Sequence, residues 1–151
     1  MLHVIRFILV GLGLTVCVSV YGQEIPQGVV MFNAAKAQWK KDPNGEQANI
    51  YGDQAKPGPY LFLRKPLPGR SGASAPHTHP DDRTYTVISG TWYVGFGTKY
   101  DESKLIPLTA GSYYTEPAGV PHFTVIKDEG VVVQVSGAGP SRVIPVDAAK
   151  Q

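Results

Sequence analysis

The sequence predicts an all-β domain, an antiparallel sandwich or barrel, because short strand-like runs alternate with turn motifs at fairly even spacing. The runs are rich in β-branched and aromatic residues, and the turns between them are rich in Gly, Pro and Asp. Only Val29 to Lys41 is compatible with a helix, and its start, Val29 to Phe32, could equally form an edge strand. The predicted strands are Tyr60–Arg64, Thr84–Ser89, Thr91–Phe96, Tyr113–Glu116, His122–Ile126 and Val131–Ser136.

The N-terminus is typical of an export signal. Arg6 precedes an apolar run from Ile8 to Val20, and small residues stand at the usual cleavage offsets before Gln23. A membrane anchor is the alternative, but the run is short for a bilayer span of about 20 residues. We therefore expect a signal peptide at 1–22 and a single domain at 23–151, exported to the periplasm or secreted.

Charge and cysteine content exclude several classes of partner and scaffold. The chain has 14 Lys and Arg against 12 Asp and Glu, a net charge of +2, so we expect no nucleic-acid partner. We also expect no membrane partner once the signal peptide is removed. The single cysteine, Cys17, lies in the predicted signal peptide, which excludes a disulfide framework. The domain must then rely on its core, and on any bound metal, for stability.

Three of the four histidines form a metal-ligand pattern: His77, His79 and His122. Side chains at positions i and i+2 of a strand share a face, so His77 and His79 can coordinate one ion together. A second strand beside the first could add His122. Three neutral imidazoles that leave open positions favour a reactive or exchangeable divalent metal over a closed structural zinc site.

The spacing around these histidines resembles the two motifs of the cupin family, which are small jelly-roll β-barrels. The first motif, residues 72–90, matches at Gly72, His77, His79 and Gly90, and the second, residues 111–126, at Gly111, Pro117, Gly119 and His122. The resemblance implies a single-domain cupin-type jelly-roll β-barrel with a short N-terminal segment. Cupins often dimerise through sheet edges, so a homodimer is a further expectation.

Two positions depart from the family pattern. Arg83 replaces the glutamate that often serves as a fourth metal ligand, and Ile126 replaces the final asparagine. Arginine has no acceptor atom and cannot ligate a metal, so the site should use three histidines unless another carboxylate reaches it. The chain is similar here to cupins with three-histidine iron sites, such as thiol dioxygenases, which keeps the metal interpretation without the glutamate.

Strand parity indicates which other side chains face the barrel interior. If the alternation holds, Arg83, Tyr85 and Val87 point inward, and Tyr114 and Glu116 share a face of their strand. We expect Arg83 and Glu116 to face each other near the metal, because an isolated buried charge is costly. They would form a structural bridge, or Arg83 would hold an anionic substrate while Glu116 acts as acid, base or fourth ligand.

Several polar residues have two interpretations each. Tyr85 and Tyr114 are the aromatic residues expected to line the pocket, and Gln134 could contact a substrate there or simply face water. Asp81 and Asp82 could orient an imidazole, but a Pro-Asp-Asp run is more typical of a solvated turn.

The resemblance implies a class of function but does not identify the substrate. The first hypothesis is a small metalloenzyme, dioxygenase-like, with Fe(II) on the three histidines and a small anionic or enol-bearing molecule as substrate. Zn, Mn or Ni on the same ligands would suit redox-neutral chemistry. One alternative is a non-catalytic barrel that binds a small molecule or carbohydrate, and another is a metal-free, epimerase-like cupin. Fold alone cannot choose among these, because cupins host many reactions.

Overall fold

The fold consists of two antiparallel β-sheets packed face to face. A computed structural model describes residues 24–69 and 75–146. The six-stranded sheet contains, in spatial order, β1 (Lys40–Asp42), β2 (Gly45–Tyr51), β3 (Gly58–Pro66), β10 (Val132–Gly139), β5 (Arg83–Ser89) and β8 (Tyr113–Glu116). The five-stranded sheet contains β11 (Ile144–Pro145), β4 (His77–Thr78), β9 (His122–Val125), β6 (Thr91–Phe96) and β7 (Ile106–Thr109). This is the jelly-roll arrangement that the sequence predicts. The predicted signal peptide and Gly72 lie outside the described residues.

The hydrophobic core fills the space between the two sheets. On β10, Val133 and Val135 are buried while Gln134 between them is half-buried, which is the alternation of a strand with one face on the core. The buried cluster contains Tyr60, Phe62, Tyr85, Val87, Trp92, Val94, Ile126, Val131, Val133 and Val135. Phe62, Tyr85 and Trp92 of this cluster line the cavity described below, so the same packing that holds the sheets together also forms the wall of a site.

The six predicted strands are all present, while the predicted helix is wrong. Within Val29 to Lys41 the structure has one 3₁₀ turn, Ala34–Lys36, followed by the start of β1, and Val29 to Phe32 forms no strand. Residues 24–36 are exposed, so a helix here would have no core against which to bury an apolar face. Among the described residues no helix is long and apolar enough to cross a membrane.

Candidate metal centre

The three predicted ligand histidines converge on one point between the sheets. His77 in β4 is the register partner of His122 in β9, and His79 follows β4 directly. One ring nitrogen from each residue lies within 4.8 Å of those of the other two, and all three side chains are buried. The i, i+2 spacing and the antiparallel pairing therefore bring the three histidines together, as the sequence pattern predicts. The three histidines could hold a metal ion.

Each imidazole is oriented by a backbone carbonyl. The Nδ1 atom of His77 donates to Ala75 O at 2.9 Å, that of His79 to Arg142 O at 2.8 Å, and that of His122 to Val120 O at 3.0 Å. These bonds place the proton on Nδ1 and leave the Nε2 lone pair free, an arrangement common to metal-ligating histidines. Burial lowers the pKa of all three rings, and that of His79 to about 4, so they are neutral at pH 7.

Glu116 stands beside the Nε2 atoms of this cluster. Its Oε1 lies 3.3 Å from Nε2 of His122, and its Oε2 lies 4.0 Å from Nε2 of His79. The side chain is fully buried, and Oε1 accepts from the Tyr114 hydroxyl at 3.0 Å, while Oε2 has no hydrogen-bond partner among the residues that the structure describes. Burial raises the pKa of the Glu116 carboxyl above its usual range. Three imidazole nitrogens and an adjacent carboxylate with an unpartnered oxygen form a donor set that fits a divalent transition metal.

Arg83 lies opposite Glu116, as predicted, but its partners are different. The two residues are register partners between β5 and β8, and both are buried. The ion pair of Arg83 is with Asp81, at 3.7 Å between Nε and Oδ2. Its Nη2 donates to the Ser141 hydroxyl, and Nη1 makes a long contact of 3.5 Å with the Tyr85 hydroxyl. A direct bridge to Glu116 is therefore not formed, and a substrate contact by Arg83 stays a prediction.

Asp81 is the centre of a buried polar network that the sequence did not reveal. Its Oδ2 accepts from the Tyr60 hydroxyl at 2.7 Å, and its Oδ1 accepts from the Ser141 hydroxyl. A Cβ at Gly137 would lie 2.5 Å from the Tyr60 hydroxyl oxygen and 2.8 Å from Oδ2 of Asp81, so this network requires a glycine there. The expectation of a solvated turn is wrong for Asp81, which is buried, and holds for the exposed Asp82.

A cavity of about 370 Å³ opens from the histidine cluster. Tyr85 lies in its wall, as predicted, together with the three histidines, Glu116 and Arg83. Tyr114 is outside the wall and reaches the site through its hydrogen bond to Glu116. Gln134 lies on the opposite face of β10 from Val133 and Val135, which do line the cavity, so the structure does not bring it to the site. Arg64, Asp42 and Arg142 also line the cavity, and none of them was a candidate from sequence.

Known proteins resemble the chain in part of its sequence and in its fold. No family model matches. Germin-like protein 8-1 of Oryza sativa subsp. japonica is 42% identical over 55 residues, and germin-like protein 2-3 of the same organism is 32% identical over 83 residues. These matches cover 34% and 51% of this chain, and the chain spans only 25% and 37% of the length of these relatives.

Solved structures match most of the described barrel at low identity. Polyketide cyclase RemF from Streptomyces resistomycificus has a TM-score of 0.61 at 15% identity, covering 81% of this chain and 88% of that one. An RmlC-like cupin from Shewanella frigidimarina NCIMB 400 has a TM-score of 0.54 at 13% identity, covering 72% and 90%. The chain therefore has a cupin-like fold. The Fe(II) form of HppE also matches, with a TM-score of 0.55 at 15% identity over 78% of this chain and 64% of that one.

The carboxylate of this site stands at a different position from the one in the cupin motif. The usual glutamate position of the first motif is occupied by Arg83, whose charge is met by Asp81. A carboxylate instead reaches the histidines from Glu116, on the strand that precedes the motif proline. The sequence could indicate Glu116 through strand parity, but its distance from the imidazoles depends on the curvature of the barrel and could not be predicted.

Proposed function

We propose that this cupin is a small metalloenzyme that binds one divalent metal ion through the Nε2 atoms of His77, His79 and His122. One observation carries the proposal. Each of the three buried imidazoles is neutral and donates Nδ1–H to a carbonyl, which leaves three Nε2 lone pairs free in a cluster whose ligand atoms all lie within 4.8 Å of one another. Fe(II) is the favoured ion, and the similarity of the fold to Fe(II) HppE supports it. Zn, Mn or Ni could use the same ligands.

The proposed chemistry is dioxygenase-like, on a small anionic or enol-bearing molecule. A bound Fe(II) would supply redox chemistry with dioxygen, and any of the divalent ions would supply Lewis-acid polarisation. Glu116 can serve as the fourth ligand through its unpartnered Oε2, or as the group that holds or moves a proton there, since burial raises its pKa above the usual range. Tyr114 fixes the carboxyl by donating to Oε1.

The test is metal content by mass spectrometry on purified protein, beside the His77→Ala variant. Thr78→Ala is the matched control, because Thr78 lies on the same short strand but is no candidate ligand. We expect near one equivalent of metal in the parent and in Thr78→Ala, and a loss of at least tenfold in His77→Ala. Oxygen consumption with candidate substrates should fail in the same variant. Absence of metal even after reconstitution would overturn the proposal.

Two alternatives have observations in their favour. The aromatic wall of the cavity, with Phe62, Tyr85 and Trp92, also suits a non-catalytic barrel that binds a small molecule or carbohydrate. The short distance between His122 and Glu116 also suits a metal-free, epimerase-like acid–base pair. A chelator separates the cases: activity that survives metal removal favours the epimerase-like site, and ligand binding without turnover favours the binding barrel.

We propose in addition that the protein is exported, with cleavage before Gln23, and that it forms a homodimer. The apolar run from Ile8 to Val20 supports export. N-terminal sequencing of the protein recovered from the periplasm or medium tests the cleavage site, and light scattering on the same sample tests the oligomeric state.

A further inference from the structure

The inward-facing residues of the six-stranded sheet form three parallel rows. Strand register defines them: the first row is Tyr60, Gly137, Arg83 and Glu116, the second is Phe62, Val135, Tyr85 and Tyr114, and the third is Arg64, Val133 and Val87. The first row is the polar end beside the histidines, and the second is largely aromatic. The first and third rows are four residues apart on each strand, which corresponds to about 13 Å along the sheet.

Arg64 gives the third row a cationic group that faces the cavity. Its guanidinium holds the carboxylate of Asp42 in a two-pronged pair, with Nη1 against Oδ2 and Nη2 against Oδ1 at 2.8 Å. The planar guanidinium matches a carboxylate in this geometry, so the pair shows that a carboxylate fits this position. Gln47, the register partner of Arg64, also lines the cavity.

The carboxylate of Asp42 is placed where another anion can replace it. Its side chain is 39% exposed, and it ends β1, a three-residue strand at the edge of the sheet. Pro43 and Asn44, which follow it in the turn, also line the cavity. Solvent-exposed ion pairs contribute little net stability, so breaking this pair would cost little. A carboxylate on a bound molecule would regain the same two hydrogen bonds.

We infer that the cavity takes an elongated molecule with two polar ends. One end carries a metal-binding oxygen group that reaches the histidine cluster, and the body is apolar or aromatic and packs on Phe62 and Tyr85. The other end carries a carboxylate, which binds Arg64 in exchange for Asp42. This substrate class rests on the proposed metal site, but the Arg64 subsite is a separate part of the wall and can fail separately.

The test uses monohydroxamic acids of two dicarboxylic acids, because hydroxamates chelate divalent metals. Suberic monohydroxamic acid is long enough to reach from the metal toward Arg64, and succinic monohydroxamic acid is not. Each is compared with its monoamide, which has the same length but no charge, by calorimetric titration into metal-loaded protein. We expect the suberic acid to bind about tenfold more tightly than its amide. The succinic pair should bind alike.

Three single variants make the expected pattern specific. Arg64→Gln should abolish the tenfold preference for the suberic acid, whereas Asp42→Asn should increase it, because a competing carboxylate is removed. Lys41→Gln removes one positive charge, as Arg64→Gln does, but at an exposed position of β1 outside the cavity. It should not change the preference for the suberic acid. The opposite signs of the first two variants cannot arise from a loss of folding.

Three outcomes contradict the inference, and they can be told apart. If acetohydroxamic acid binds the metal-loaded protein but the suberic acid and its amide bind equally, the Arg64 subsite is wrong and the metal site stands. If the protein binds no metal, the proposed function fails and the two-ended substrate fails with it. A suberic acid preference that survives in Arg64→Gln would place the anion on another cation, with Arg142 the next candidate in the cavity wall.

Discussion

Two arginine–aspartate pairs lie beside the same cavity, and they differ in burial; Arg64, Asp42 and Arg83 line its wall, and Asp81 lies behind Arg83. The side chains of Arg83 and Asp81 are 9% and 7% exposed, and those of Arg64 and Asp42 are 18% and 39% exposed. Asp81 has further partners in the Tyr60 and Ser141 hydroxyls, whereas in the described part of the chain Asp42 is otherwise bonded only to the backbone of its own turn. The same pair of residue types is therefore a fixed structural element at one end and an exchangeable one at the other.

The difference in burial determines which arginine is available to a substrate. A buried charge pair is costly to separate, because each partner would be left in a low-dielectric environment. Arg83 should accordingly keep Asp81 in every state, and its role is to hold the polar end of the cavity together. Because Asp81 neutralises Arg83, we expect the carboxylate of Glu116 to be available to the proposed metal. The solvent-exposed pair has no such constraint, so Arg64 can exchange its carboxylate.

The largest effect should come from breaking the buried pair. Asp81→Asn leaves the Arg83 cation buried without its counter-charge, and we expect the free energy of unfolding to fall by about 3–5 kcal/mol. The matched change at the Arg64–Asp42 pair, Asp42→Asn, should lower the free energy of unfolding by no more than about 1 kcal/mol. Chemical denaturation of the metal-free proteins measures both. Equal losses for the two variants would mean that burial does not distinguish the pairs.

A smaller effect is expected at Glu116, which tests whether its charge is free for the metal. Glu116→Gln should weaken metal affinity by about tenfold to a hundredfold, as for other groups that contact a metal or its ligands. The metal-free variant should be no less stable than the parent, because a neutral amide is cheaper to bury than a carboxylate. Competition with a fluorescent chelator measures the affinity, and the exposed Glu129→Gln is the control.

A drop in metal-free stability without a change in affinity would assign Glu116 a structural role. In that case the first row of the sheet would hold two charges of purely structural purpose, and the contrast between the two ends of the cavity would concern stability alone. The paired measurement therefore decides between two uses of the same buried carboxylate.

The sequence predicted the parts of the site that depend on local spacing. His77 and His79 share a face because they are two residues apart, and the second motif places His122 on the neighbouring strand. Parity likewise predicted that Arg83, Tyr85 and Val87 face inward, and they are buried. Strands with regular alternation and clear turns were predicted nearly to the residue, as for Thr91–Phe96. Each of these features is set by residues close together in sequence or by a fixed period.

The parts that the sequence could not predict depend on contacts between distant segments. Asp81 follows a proline and looks like a turn residue, and only the arrival of Tyr60 from β3 and of Ser141 from the segment between β10 and β11 makes it a buried acceptor. β2 contains Glu46, Gln47 and Asn49, so it lacks the β-branched pattern and was missed, and with it the sheet edge that brings Asp42 to Arg64 of β3. The helix expected after Val29 failed for the converse reason, since its apolar residues have no partner surface.

The smallest predicted effect is the pKa of Asp42. The hydrogen bond from Arg64 lowers it below the ordinary 3.8, so the pair contributes stability above that pH and loses it as the pH falls through the lowered value. Arg64→Gln should return the pKa toward 3.8, and so should saturation with suberic monohydroxamic acid, which would take the place of Asp42. Carboxyl ¹³C NMR titration measures both shifts.

An unchanged pKa of Asp42 in Arg64→Gln would assign the low value to the backbone amides of Asn44 and Gly45, which also hydrogen-bond Asp42. A shift in Arg64→Gln with none on probe binding would leave the ion pair real but not exchangeable, and the two ends of the cavity would then be alike.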